Sequence, residues 1–336
     1  MDSMGRLWPT VPLTLPAEYG TIQDMRFLLS RTDALGDLVV SLPVMERILS
    51  RSPGAEIHWL VRPYAAPLLA GMPGVAGVLL REEDPELTGL LRRGAFDAVL
   101  NLGHRDKQVI TAARAAGIPI RVARSRGRQI WEATHVIWKG RYRSGRHEAQ
   151  NVLDFLAPWG WDGGWPAPPR IPLSREERAQ GQADLAHLAR PRIGIATRSS
   201  GSSAFPSPAW WDRALALLST AGWDPVVLSP PEDSPLPATD LRGLMGRIRA
   251  CDVFLGPSTG PTQLAAALGV PLLALMGRSS NRGPSRWAPL GEPLQVLQYP
   301  EPEADLTGGM DRLDPADLLP HLARLAPLAP PFALPR

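Results

Sequence analysis

Two periods of apolar spacing take turns along most of this chain. Arg26-Phe27-Leu28-Leu29-Ser30 is an apolar run of strand length, and after the loop Arg31 to Gly36 the apolar positions from Leu38 to Leu49 recur at helical spacing. The same alternation then repeats. Strands are predicted at Glu56–Val61, Val75–Leu80 and Phe96–Leu102, with helices at Tyr64–Ala70, Pro85–Arg93 and Asp106–Ala116. The period fails between Trp159 and Pro172, a stretch of Gly, Pro and Trp that reads as a linker. Ser174 opens the next helix, to Ala189, with Glu177 three residues on to close a capping box. A second alternation follows. Strands are predicted at Arg192–Ala196, Pro225–Leu228, Val253–Leu255 and Pro271–Met276, with helices at Pro208–Ala221, Leu241–Ala250 and Thr262–Leu268. Alternating strands and helices imply parallel sheets covered on both faces. The expected organisation is an extension at 1–24, an α/β domain at 25–158, a linker at 159–173 and a second α/β domain at 174–330. Met25, directly ahead of the first strand, is the expected initiator.

Composition narrows the class. At 336 residues, 44% hydrophobic and 21% charged, the chain can build two ordinary cores. Cys251 is the single cysteine, which excludes an intrachain disulfide and a cysteine-built zinc site, and it reads as a small core residue. His104 and His147 lack partners at metal-ligand spacing, so neither metal nor cofactor is expected. The first residues lack a basic start followed by an apolar stretch, and no apolar run approaches the roughly 20 residues that span a bilayer. A cytoplasmic protein, at most peripheral at the inner membrane face, is the expectation. The tryptophans near the linker, Trp159, Trp161 and Trp165, are read as packing residues.

Charge changes the picture locally. Net charge is +3, but from Arg105 to Arg146 eleven lysines and arginines face only Asp106 and Glu132. Such a segment suits a solvated face, an anionic ligand or anionic lipid headgroups. No nucleic-acid motif accompanies it, so nucleic acid is not an expected partner.

Three loops carry candidate chemistry. Arg31-Thr32-Asp33-Ala34-Leu35-Gly36-Asp37 joins the first strand to the first helix. It has one glycine, neither the three of a dinucleotide fingerprint nor the Gly-Lys-Ser/Thr of a phosphate loop. Gly36 allows close backbone approach, and Asp37 is either a carboxylate serving the helix dipole or a reactive group. In Gly256-Pro257-Ser258-Thr259-Gly260-Pro261-Thr262-Gln263, a strand ends in small residues before a helix whose free N–H groups suit a diphosphate. Thr197-Arg198-Ser199-Ser200-Gly201-Ser202-Ser203 offers hydroxyls and a guanidinium to phosphate.

Taken in order, these pieces resemble the ADP-heptose:lipopolysaccharide heptosyltransferases, glycosyltransferase family nine. The resemblance rests on Leu35-Gly36-Asp37 with Pro43, on Phe96–Leu102 with Lys107, and on Ala116-Gly117-Ile118-Pro119 with Arg121. It continues through His147-Glu148-Ala149-Gln150-Asn151 with Leu153 and through Cys251 to Gly277. The resemblance implies a GT-B fold, two Rossmann-like parallel-sheet domains facing a central cleft. It implies inverting, metal-independent transfer of a heptose or related sugar from a nucleotide-diphosphate donor to an anionic cell-envelope glycan or glycolipid. Asp37 is then the general base, with Gly36, Arg62, Arg105, Lys107 and Arg121 toward the acceptor. Arg198, Ser199, Ser203, Ser258, Thr259, Gly260 and Gln263 are then toward the donor.

Three positions depart from the family pattern. Ser258 stands where the family has Asp, Gln263 where it has His, and Ser203-Ala204 where a Lys precedes the aromatic-Pro pair, here Phe205-Pro206. Arg198, Arg278 or Arg282 could supply the missing cation. The departures leave two further expectations open: a catalytically silent GT-B protein that binds glycan or scaffolds envelope enzymes, and a sugar-nucleotide epimerase on the same architecture.

Overall fold

A computed structural model describes residues 24–81, 86–103, 105–138, 145–198, 204–228, 240–278, 282–299 and 309–325. The expected extension, apart from Asp24, lies outside them. The first half runs β1 (Arg26–Ser30), α1 (Leu35–Arg51), β2 (Glu56–Val61), a 3-10 helix (Pro63–Leu69), β3 (Val75–Leu80), α2 (Leu87–Gly94) and β4 (Ala98–Asn101). It continues with α3 (Gln108–Ala115), β5 (Ile120–Arg124), α4 (Gln129–Glu132) and β6 (His135–Ile137). These strands form one parallel sheet in the order β3-β2-β1-β4-β5-β6. Pro63 and Pro67 deny backbone donors to the Tyr64 segment, and it folds as a 3-10 turn instead of an α-helix.

α5 (Glu148–Leu153) and a second 3-10 helix (Asp154–Trp159) lead out of this lobe. The second half runs α6 (Arg175–Asp184), β7 (Arg192–Ile195), α7 (Pro208–Thr220), β8 (Asp224–Val227), α8 (Leu241–Arg249), β9 (Val253–Pro257) and α9 (Gly260–Ala267). It ends with β10 (Leu272–Met276), α10 (Pro284–Trp287), β11 (Leu294–Gln298) and α11 (Leu318–Leu325). Its strands form a second parallel sheet, β11-β10-β9-β7-β8. The expected capping box closes α6, with the Glu177 N–H donating to Ser174 Oγ at 3.1 Å and the Ser174 N–H to Glu177 Oε2 at 2.7 Å.

Both sheets reverse direction of travel at one point, between β1 and β4 and between β7 and β9. At such switch points the loops part and leave a crevice beyond the carboxyl ends of the strands. The central strands are sealed from water: Leu28, Leu29, Val99 and Leu100, and Val253, Phe254 and Leu255, are fully buried. The lobes meet along α1 and α9, where Leu38, Val39 and Leu42 share one contiguous core with Leu264, Ala265 and Leu268. Residues between the two sheets brace this arrangement. The Ile171 N–H donates to Ala267 O at 3.1 Å, and Arg47 Nη1 donates to Trp161 O at 2.9 Å. Trp159 stacks on Trp161 and meets Phe27 edge-on at 5.4 Å, the packing role expected of both, whereas Trp165 is exposed.

Candidate active site

The loop after β1 folds around a buried guanidinium. Arg31 Nη2 donates to Asp37 Oδ1 at 2.8 Å and Nη1 to Leu102 O at 2.7 Å, while Nε lies 3.6 Å from Asp33 Oδ2. Burial works against the charge on Arg31, but Asp37, Asp33 and Glu148 outweigh it and raise its pKa. The second oxygen of Asp37, Oδ2, accepts from the Ala34 N–H at 3.2 Å. Asp37 therefore occupies the third position of α1, fixed on one oxygen by Arg31 and on the other by the backbone of its own cap. Its side chain is still partly exposed.

Opposite this carboxylate stands the start of α9. Thr259 is its cap residue, extended and without a side-chain capping bond, and the first turn contains no acid. Thr262 Oγ1 donates to Pro257 O at 2.6 Å, so the 3.0 Å contact between the two threonine hydroxyls has Thr259 as donor. Proline at the second position removes one N–H, and the remaining orphan donors and the helix dipole favour an anion.

The two helix starts abut. A Cβ placed on Gly36 would lie 3.4 Å from Gln263 Cγ and 3.5 Å from the Gly260 Cα, and one on Gly260 would lie 3.4 Å from Leu35 Cβ. A Cβ at either position would sit in ordinary van der Waals contact, whereas a branched side chain would overlap the facing helix start. Gly36→Val is accordingly expected to wedge the seam, costing about 1–3 kcal/mol in thermal unfolding and weakening ligand binding there. An unchanged melting temperature would show that the seam yields freely.

Around the carboxylate, Arg62 Nε donates to Thr32 O at 3.0 Å and Tyr64 Oη to Asp33 O at 3.0 Å. Both brace the Asp37 loop from the carboxyl end of β2. Burial raises the Tyr64 pKa, Arg62 and Arg105 pull it down, and Asp37 and Asp33 add to the rise. Tyr64 thus feels both the cations Arg62 and Arg105 and the carboxylates Asp37 and Asp33. Lys107 is exposed farther along the same rim. Arg121 is not brought here. It stands near the amino end of β5, with Nε donating to Glu132 O at 2.8 Å and Nη1 to Ile118 O and Pro119 O. Those bonds fix a turn at the far side of the sheet, so the expected acceptor role does not suit its position.

On the donor side, Arg198 is exposed after β7 and Arg278 after β10, both at carboxyl ends of the second sheet. Ser258 is half-buried beside Thr259. Gln263 is buried, and its Nε2 donates to Trp287 O at 2.9 Å. It props the turn carrying α10 with one of its two amide N–H groups. Ser199 and Ser203 lie outside the described residues.

Sequence reasoning missed a charged knot joining the lobes. Glu148 accepts from Arg286 Nη2 at 2.7 Å and Nε at 3.2 Å on one oxygen, and from Arg124 Nη2 at 3.4 Å on the other. Burial would raise the Glu148 pKa; Arg124, Arg31 and Arg286 overcome that and hold it below the ordinary value. The neighbouring His147 accepts from the Ala149 N–H on Nδ1 at 3.1 Å, which puts its proton on Nε2, donated to Ala288 O at 2.7 Å. Burial lowers the His147 pKa and keeps the ring neutral. Arg286, Trp287 and Ala288 are therefore each held, by Glu148, Gln263 and His147.

Residues 86–313 match the model of a family described as Glycosyltransferase family 9 (heptosyltransferase). A putative glycosyltransferase of Haemophilus influenzae is 24% identical over 304 residues, covering 80% of this chain and 86% of that one. Among solved structures, the glycosyl transferase family 9 protein of Veillonella parvula superposes with a TM-score of 0.76 at 18% identity, covering 93% of this chain and 100% of that one. The ADP-heptose lps heptosyltransferase II of E. coli does so with a TM-score of 0.76 at 19% identity, covering 90% and 99%.

Proposed function

We propose that this chain, which belongs to glycosyltransferase family 9 (heptosyltransferase) and is a glycosyltransferase of the GT-B fold, moves a sugar from a nucleotide-diphosphate donor to a hydroxyl of an anionic cell-envelope glycan or glycolipid. The convergence of two helix starts at one seam, with Asp37 on the first and the acid-free, uncapped start of α9 on the second, carries this reading. The E. coli relative is an ADP-heptose enzyme by name, and a heptose or related sugar is the proposed cargo here. Residues 25–158 form the acceptor lobe and 174–330 the donor lobe in this proposal.

In the proposed step an acceptor hydroxyl oxygen attacks the anomeric carbon from the side opposite the diphosphate. The carbon–oxygen bond to the diphosphate breaks, its electron pair leaves with the phosphate, and the anomeric configuration inverts. The hydroxyl proton passes to Asp37, which returns it to solvent. The departing diphosphate gains charge at the start of α9, where the backbone N–H groups of Thr259 and Gly260 meet it without need of a metal. Arg198 and Arg278 stand in for the family's lysine as counter-charges. Arg62, Arg105 and Lys107 meet anionic groups of the acceptor. In this proposal the change at Ser258 alters a contact to the donor sugar, and the lysine missing at Ser203-Ala204 alters the phosphate side.

Thermal unfolding across ADP, UDP, GDP, CMP and dTDP and their sugar conjugates tests the donor. Ligand at 100 times its dissociation constant adds about 2.7 kcal/mol, and one base is expected to raise Tm by several degrees. No shift with any of them would remove the donor from the account and leave a silent glycan-binding protein.

A further inference from the structure

We propose that the β6 edge of the first sheet is a docking surface for an anionic lipid bilayer. β6 is the outermost strand there, with β5 as its neighbour on one side. Two tryptophans flank it. Trp131, on α4 leading into the strand, is 84% exposed, and Trp138, the residue after it, is 65% exposed. No other large apolar side chain among the described residues is as exposed as either. An indole joins a broad apolar body to one N–H donor, which suits the boundary between acyl chains and headgroups better than open water.

Cations surround the pair. Arg126 and Arg128 are exposed on the turn between β5 and α4. The Lys107 ammonium lies over the same turn, 3.3 Å from where a Cβ on Gly127 would stand. Glu132, the acid of α4, is buried and paired with Arg128 at 2.8 Å. The rim is therefore positive beside an apolar pair, the complement of phosphate headgroups over acyl chains. A second copy seated on the same patch would bring these cations together instead of neutralising them. Trp138 follows the carboxyl end of β6, and the Asp37 loop follows that of β1, in a parallel sheet. Trp131, beside Glu132, lies toward the amino end of β6 and Trp138 at its carboxyl end, so docking here lays the strand edge along the bilayer, and it does not depend on Asp37 being the base.

Co-sedimentation of the whole chain with vesicles tests this, using phosphatidylcholine alone and phosphatidylcholine mixed with phosphatidylglycerol. Binding to the anionic vesicles at low salt, weakened by added salt, is expected, with none to phosphatidylcholine. Arg126→Ser with Arg128→Ser should lower the partition coefficient on the order of tenfold. Trp131→Ser with Trp138→Ser should lose most of the bound fraction at an unchanged Tm. Three results would each overturn the assignment: no sedimentation with anionic vesicles, full binding by the tryptophan variant, or a light-scattering dimer that this variant dissociates.

Discussion

Asp37→Asn is expected to lower the rate of sugar transfer by about 10²- to 10⁴-fold, the usual contribution of a positioned general base, while leaving the fold intact. The substitution keeps the shape of the side chain and removes the charge that Arg31 binds at 2.8 Å. Arg31 still holds Leu102 O and faces Asp33, so the loop retains its scaffold. The loss should fall on kcat with donor binding kept, because the phosphate side of the seam belongs to α9. Steady-state kinetics with matched circular dichroism and Tm separate the cases. A rate within threefold of wild type would remove Asp37 from the chemistry.

The largest loss of stability is expected from Glu148→Ala, at about 3–5 kcal/mol. The carboxylate is the shared partner of two buried arginines, Arg124 and Arg286, one from each lobe. Removing it leaves like charges facing each other in a dry contact. Its acid behaviour follows from the same geometry. The folded-state pKa is held below the ordinary glutamate value by Arg124, Arg31 and Arg286, so the stabilisation is complete above the unfolded value and is lost as pH falls through the lower folded one. Glu148→Gln should therefore be less stable at neutral pH and lose stability less steeply below about pH 4.5. Denaturant unfolding at several pH values reads both effects. Parallel acid limbs for the two proteins would mean that the knot adds little to cohesion of the lobes.

The seam itself was legible in sequence because each half is local. Asp37 and the Thr259-Gly260 pair sit on short strand-to-helix loops, where seven or eight consecutive residues fix what faces the crevice. The two-sheet architecture was legible for the same reason, as buried parallel strands read as uninterrupted apolar runs. The pattern failed where polarity interrupts it. β5 carries Arg121 and Arg124 within five residues, β6 is three residues long, and β11, Leu-Gln-Val-Leu-Gln, is a half-buried edge with two glutamines in five residues. Missing β5 hid which end of it each arginine occupies. Register puts Arg121, expected toward the acceptor, near the amino end of β5, while Arg124, at the carboxyl end, is the one that reaches Glu148. Arg286 and Glu148 stand 138 positions apart, and nothing local in either segment announces the other.

The central claim is acceptor-dependent transfer governed by Asp37. Its most direct test is release of nucleoside diphosphate from a panel of sugar donors, with and without a cell-envelope glycolipid fraction, for wild type and Asp37→Asn, with the glycolipid weighed by mass spectrometry. One donor should release its diphosphate only when acceptor is present, the acceptor should gain the mass of one sugar residue, and the variant should do neither at a comparable rate. Donor binding without any acceptor-dependent release, or equal release by the variant, would contradict the account.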